Sequence, residues 1–243
     1  MRLLSLETAT DRGGFALWSG DVLENVAVTA ACETFVCPAG QPHAETLLPA
    51  VRAALTTLGW TIASLDAIVF DAGPGMFTGL RVSAALAQGL AVALDKPVVS
   101  VSSLEVLAES TYAQTGATRV LTLLDARMNQ IYTCAWEKSS GGWVALFETC
   151  LVNPDALDQL PALTMPLVAA GTGIDEYDAV TPWLNARGIN DSGTRYPDPV
   201  ALACLGALRF SRGDLTDPAD ALPVYVRDRV ALTTAERAAG ESL

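Results

Sequence analysis

Between Gly73 and Leu94 the chain passes from a glycine-rich turn into an almost uninterrupted apolar run, and this passage restricts the fold more than any other stretch. Ile68-Val69-Phe70 reads as a short buried strand, and Gly73-Pro74-Gly75 as the turn that follows it. Leu80 to Leu94 reads as a helix, ended by Asp95-Lys96-Pro97, with Thr78 placed to cap its N-terminus. Gly73, Gly75 and Thr78 admit two readings. They form either a structural turn that needs unusual backbone angles, or a contact for an anion at the free N–H groups of the helix start. No lysine follows Gly79, so this is not a Walker-type phosphate loop, and the G-x-G-x-x-G spacing of a dinucleotide fingerprint is absent.

The helix itself carries the stronger constraint. Val82, Leu86, Leu90 and Leu94 cover one broad side, while Ala84, Ala85, Ala91 and Val92 lie elsewhere, and only Arg81 and Gln88 share a polar edge. A helix apolar nearly all round is buried nearly all round. One sheet covers one face, so the rest needs another helix or another subunit. The preceding helix, Ala44 to Leu58, buries Leu47, Leu48, Val51, Leu55 and Leu58 on i, i+3, i+4 spacing and stops at Gly59. Beside that face runs an uncharged stripe of small residues, Thr46, Ala50, Ala53 and Thr57. Packing of the two helices on each other and an interface with a partner explain these surfaces equally well.

The remaining pattern is α/β. Leu3 to Leu6, Gly14 to Trp18 and Val22 to Val28 read as an antiparallel meander turning at Ser19-Gly20-Asp21. Val98 to Val101 is a further buried strand, so the first hundred residues run β-β-β-α-β-α-β. Ser102 and Glu105 have capping-box spacing at the start of another helix. Strands are predicted over 120–124, 131–136, 143–147 and 167–170, and helices over 154–160, 175–186 and 199–212. Two lobes are expected, 1–102 and a smaller 103–243, with a disordered tail after about residue 232.

Twenty-seven acids against fifteen bases give a formal charge of −12, so tight binding of tRNA or other nucleic acid by this chain alone is not expected. The five cysteines form no CxxC pair, and His43 is the only histidine; neither a metal site nor a cofactor is expected. His43-Ala44-Glu45 reads as a first helical turn rather than a catalytic pair. Asp125 and Arg127, after a strand end, read as a turn-stabilising pair in preference to a metal or nucleotide site. No run reaches a membrane span, and no signal peptide is evident, so a cytoplasmic protein is expected.

Leu4-Ser5-Leu6-Glu7-Thr8-Ala9-Thr10, His43-Ala44-Glu45 with Leu47-Leu48-Pro49, and Gly73-Pro74-Gly75-Met76-Phe77-Thr78-Gly79-Leu80-Arg81 fall in the order of motifs seen in the TsaB (YeaZ) family. Ser102-Ser103-Leu104-Glu105, Asp125-Ala126-Arg127 with Tyr132, and Pro223-Val224-Tyr225-Val226-Arg227 extend the resemblance over nearly the full chain. The resemblance implies an ASKHA (actin-like) fold of two RNase-H-like lobes with mixed sheets flanked by helices. It further implies a non-catalytic subunit that pairs with TsaD, and joins TsaE, in threonylcarbamoylation of the adenosine beside the tRNA anticodon. Isolated members form homodimers in a related way. The catalytic relative holds its metal with paired histidines on the equivalent first helix, and only His43 is present here. The implied partner surface is made of Thr46, Ala50, Ala53, Thr57, Val82, Leu86 and Leu90. Departures from the family are Glu7 for an aspartate, Met76 for a serine, and Pro42 and Ala44 where the first helix begins. The longer acid and the lost hydroxyl weaken the competing expectation, an ATP-binding or phosphotransfer enzyme using Glu7, Thr8 and the glycine loop.

Overall fold

The computed structural model describes residues 1–38 and 40–227. The tail beyond residue 232 lies outside the described residues. Strands β1 (Arg2–Glu7), β2 (Gly14–Leu23), β3 (Val26–Val36), β4 (Ala67–Gly73) and β5 (Val98–Ser102) make one mixed sheet in the order β3-β2-β1-β4-β5. Here α1 (His43–Leu58) and α2 (Phe77–Leu94) connect the strands. A second mixed sheet is ordered β11-β10-β6-β7-β8, from β6 (Arg119–Asp125), β7 (Ile131–Ser139), β8 (Gly142–Ala145), β10 (Val168–Ala170) and β11 (Asn190–Asp191). The short β9 (Cys150–Val152) pairs with β7.

Strand alternation decides which helix covers which face. Leu4, Leu6, Ile68 and Phe70 point to α1 and α2, meeting Leu47, Val51, Leu55, Ala84 and Ala87. Leu3, Trp18, Val69 and Val99 point the other way, into Ala201, Leu202, Leu205 and Leu208 of α6 (Pro199–Arg212). The late helix α6 thus covers the sheet built from the first hundred residues, and Ser5 Oγ fixes it by donating to Pro199 O at 2.7 Å. Asp198 caps α6 by accepting from the amides of Val200 and Ala201. Helix α3 (Ser103–Thr115) packs Leu104, Leu107 and Ala108 onto the second sheet. The other face of that sheet is closed by α4 (Gly173–Glu176) and α5 (Val180–Ala186) through Ile174, Val180 and Leu184.

Four expectations are corrected. The β2–β3 hairpin turns at Glu24-Asn25, not at Ser19-Gly20-Asp21; both turn residues have positive φ (50° and 63°), as the tightest hairpin connections require. Gly20 instead sits at a register shift in the ladder. Thr78 is not the N-cap of α2, because the helix begins at Phe77 and Met76 precedes it with no side-chain cap. The Ser102–Glu105 capping box does not form: Ser102 Oγ is buried without a partner, and Glu105 pairs with Arg209 of α6 at 2.5 Å. The helix expected over 175–186 is broken into α4 and α5 by an extended Tyr177, whose hydroxyl donates to Asp125 at 2.6 Å.

Helix α2 is long and apolar enough to cross a membrane by length and composition. Its sheet-facing side is nevertheless seated, and made of small residues apart from Leu80: Gly79, Leu80, Ser83, Ala84, Ala87 and Ala91 are the buried positions.

Candidate functional site

With the alanine side of α2 taken by the sheet, its branched residues are left on the flank. Val82, Leu86 and Leu90 are half-buried against the core under α1, while Ala85, Gly89, Val92 and Ala93 are exposed, Val92 at 71%. On α1, Thr46 and Ala50 are half-buried and Ala53 and Thr57 exposed. The threonine hydroxyls turn back onto their own helix, Thr46 Oγ1 donating to Pro42 O at 3.1 Å and Thr57 Oγ1 to Ala53 O at 3.2 Å. That leaves methyl groups facing outward, so the stripe is apolar in effect. The two helices together present a sparsely charged, finely textured surface, interrupted among the exposed side chains by Glu45, Arg52 and Arg81.

The second candidate region is the cleft between the two sheets, a cavity of about 600 Å³. Its floor on one side is the glycine segment and the turn after β1. These two backbones are pressed together: a Cβ on Gly75 would lie 2.5 Å from Ala9 O, and one on Gly79 would lie 1.9 Å from Thr8 O. Met76 N donates to Ala9 O at 2.7 Å, and Thr8 Oγ1 donates to Gly79 O at 2.7 Å. The glycines are therefore required for close approach of chain to chain. Of the residues singled out for anion contact, Gly75 and Thr78 line the cleft. Glu7, Thr8 and Gly73 do not; Glu7 and Thr8 are fully buried, and the Gly73 amide donates to Asp71 Oδ1 at 2.7 Å.

The opposite wall is the β6–β7 hairpin. Arg127, Met128 and Asn129 all lie in the left-handed region (φ 59°, 55° and 55°), a costly run for side chains that bear a Cβ. Asp125 holds its start, accepting from the Arg127 amide at 2.7 Å and pairing with the Arg127 guanidinium at 3.1 Å, so the turn-stabilising reading of this pair describes its contacts. Arg227 locks the hairpin from above, donating to Ala126 O at 3.0 Å, Arg127 O at 3.2 Å and Gln130 Oε1 at 2.7 Å. The same C-terminal segment reaches the first sheet, where Val224 N donates to Ala72 O at 2.7 Å. Tyr225 lies 5.6 Å from the Phe77 ring and accepts from Arg81 Nε at 3.1 Å, while the Arg81 guanidinium sits 3.8 Å above Phe77. Residues 224–227 thus bridge both walls. Periodicity gave no sign of this bridge, since an extended strap makes no regular pattern; only the family resemblance pointed to Pro223–Arg227.

Four acids line the cleft, Asp11, Asp125, Asp175 and Glu176, against two arginines, Arg127 and Arg227. Both arginines are already engaged, so the cleft offers little to a polyphosphate. Burial and the bond to Asp125 push the Tyr177 phenol up, keeping it a neutral donor. His43 is buried against Gly13, and among the described residues no group of three His, Cys, Asp or Glu side chains is placed to hold a metal. All five cysteines are free, and burial pushes the Cys134 thiol up to about 12, in keeping with small hydrophobic roles.

The model of the TsaD family, described as tRNA N6-adenosine threonylcarbamoyltransferase, matches residues 37–185. The tRNA threonylcarbamoyladenosine biosynthesis protein TsaB of Escherichia coli is 30% identical over 236 residues, covering 95% of this chain and 96% of that protein. The chain belongs to the TsaB family. The Bacillus subtilis TsaB is 28% identical over 93% of this chain. The structure of YeaZ from Pseudomonas aeruginosa superposes with a TM-score of 0.77 at 30% identity, over 92% of this chain and 99% of that one. The fold shared with that family, two mixed sheets flanked by helices, extends over most of this chain.

Proposed function

We propose that this member of the TsaB family is a non-catalytic subunit for tRNA threonylcarbamoyladenosine synthesis, pairing with a TsaD-type transferase through the outer faces of α1 and α2. One observation carries the reading: the sheet takes the alanine side of α2, leaving an uncharged surface of Ala53, Thr57, Ala85, Gly89 and Val92 exposed, flanked by Thr46, Ala50, Val82, Leu86 and Leu90. Small residues allow helices of a second subunit to approach closely, and the half-buried leucines supply apolar area at the seam. The same surface serves a homodimer when the partner is absent. TsaE then joins the assembled pair. The inward-turned Glu7 and Thr8 and the acidic cleft weigh against the alternative, an ATP-using phosphotransfer enzyme.

Leu86 and Leu90 also pack on the core, so a charge there would confound folding with binding. Ala53→Glu and Val92→Glu alter exposed positions instead. Each should leave thermal unfolding nearly unchanged and weaken co-purification with the transferase by at least about tenfold, roughly 1.4 kcal/mol. Omitting the chain from a reconstituted reaction should stop tRNA modification. Undiminished pairing in both variants, or full modification without the chain, would overturn the reading.

A further inference from the structure

Parallel pairing of Leu6 with Phe70 sets Glu7 beside Asp71 at the adjoining ends of β1 and β4, with both side chains on the sheet face covered by α3 and α6. Both are fully buried. Glu7 Oε1 accepts from the Ala9 amide at 2.8 Å. Asp71 Oδ1 accepts from the Gly73 amide at 2.7 Å and from Ser103 Oγ. The other oxygen of each, Glu7 Oε2 and Asp71 Oδ2, has no donor. The charges acting on Glu7 are those of Asp71 and of Asp198 at the start of α6, both negative. From α1, the His43 ring lies beside Gly13, close to the Glu7 carbonyl.

Two carboxylates side by side in a dry site cannot both remain ionised. A cation is a poor remedy: hard cations take six or more oxygens, and among the described residues no group of three acidic, His or Cys side chains is placed to hold one. We infer that Glu7 and Asp71 form a buried proton-binding site, a single proton lying between Glu7 Oε2 and Asp71 Oδ2, with Glu7 the neutral acid and Asp71 the carboxylate. The order follows from the donors. Asp71 has two, the Gly73 amide and the Ser103 hydroxyl, and Glu7 has one, so the anion is better held on Asp71. Burial pushes both carboxyls up, Glu7 well above its ordinary value and Asp71 to about 6. The proton ties β1 to β4 directly below the turn that meets Gly75 and Gly79, and below the start of α3.

The sign of the pH effect is fixed by these upward shifts. The proton is held more tightly in the folded chain, so its contribution is full below the ordinary glutamate value of about 4.3 and is lost as pH rises through the raised Glu7 value. Each proton so held lowers the folding constant by up to about tenfold per pH unit across that window. Infrared difference spectra of the full chain with isotope-labelled glutamate should show a protonated carboxyl band at pH 7 that is absent from Glu7→Gln. Urea unfolding of Glu7→Gln between pH 5 and 8 should be flatter than that of the parent, because the amide donates to Asp71 without titrating. A parent spectrum with every glutamate ionised at pH 7, or a stability that depends on added sodium or magnesium and falls with chelator, would overturn the assignment. The infrared readout on the parent chain stands whether or not the variant folds.

Discussion

A side chain of a single carbon is excluded at Gly79, because Thr8 O occupies the place where its Cβ would sit. The contact is backbone to backbone, with no flexible side chain to yield. Gly79→Ala should therefore destabilise the fold by about 3 kcal/mol, at the upper end of overpacking costs, despite its better helix propensity. Urea denaturation checks this, and a neutral or stabilising result would contradict the packing account. The reason for these glycines was not legible in the sequence. The motif declared that glycines were needed after a buried strand, and an anion or a close approach would look alike at that level. Capping misled for a related reason. Thr78 and Ser102 have the right residue type at the right spacing, yet α2 begins at Phe77, one residue before Thr78, and Glu105 is drawn to Arg209 by an ion pair 104 residues away in sequence.

At the scale of elements, α2 shows how a helix apolar on every side is shared out. The sheet needs the narrowest side so that backbone and strand approach closely, and it therefore takes Ser83, Ala84, Ala87 and Ala91. Ala87→Leu, at a position with no exposure, should cost about 1–3 kcal/mol in thermal or urea unfolding, as the larger side chain pushes α2 off Ile68 and Phe70. A Leu there that leaves stability unchanged would mean that the helix is seated differently. Helix positions with clean i, i+3, i+4 spacing were readable: α1, α2 and α6 lie where periodicity puts them. The elements that escaped are those shaped by distant contacts. Tyr177 splits one expected helix because its hydroxyl is held by Asp125 and Gln130, and the three-residue β9 exists only because β7 offers it an edge.

For the molecule as a whole, charge and topology make separate statements. A chain of net charge −12 should bind tRNA weakly by itself at physiological salt, and in an electrophoretic shift the transferase partner should be required for retention. Tight binding by the isolated chain would contradict this. The alternation of strands and helices disclosed the α/β class, and the family resemblance the mixed sheets flanked by helices. Neither foretold that α6 crosses to the first sheet, or that residues 224–227 bridge the cleft, since both depend on pairing residues about a hundred or more positions apart.

The crossing of α6 also bears on how such a chain is made. Strands β1, β2, β4 and β5 are all synthesised before residue 103, but the apolar side formed by Leu3, Trp18, Val69 and Val99 waits for Leu202, Leu205 and Leu208. At a ribosomal pace of about 5–20 residues per second, that side stays open for roughly 5–20 seconds on the nascent chain. During this interval an unfinished sheet faces water with its greasiest strands uncovered. Such a nascent chain is therefore a natural client for holdase chaperones until α6 has emerged.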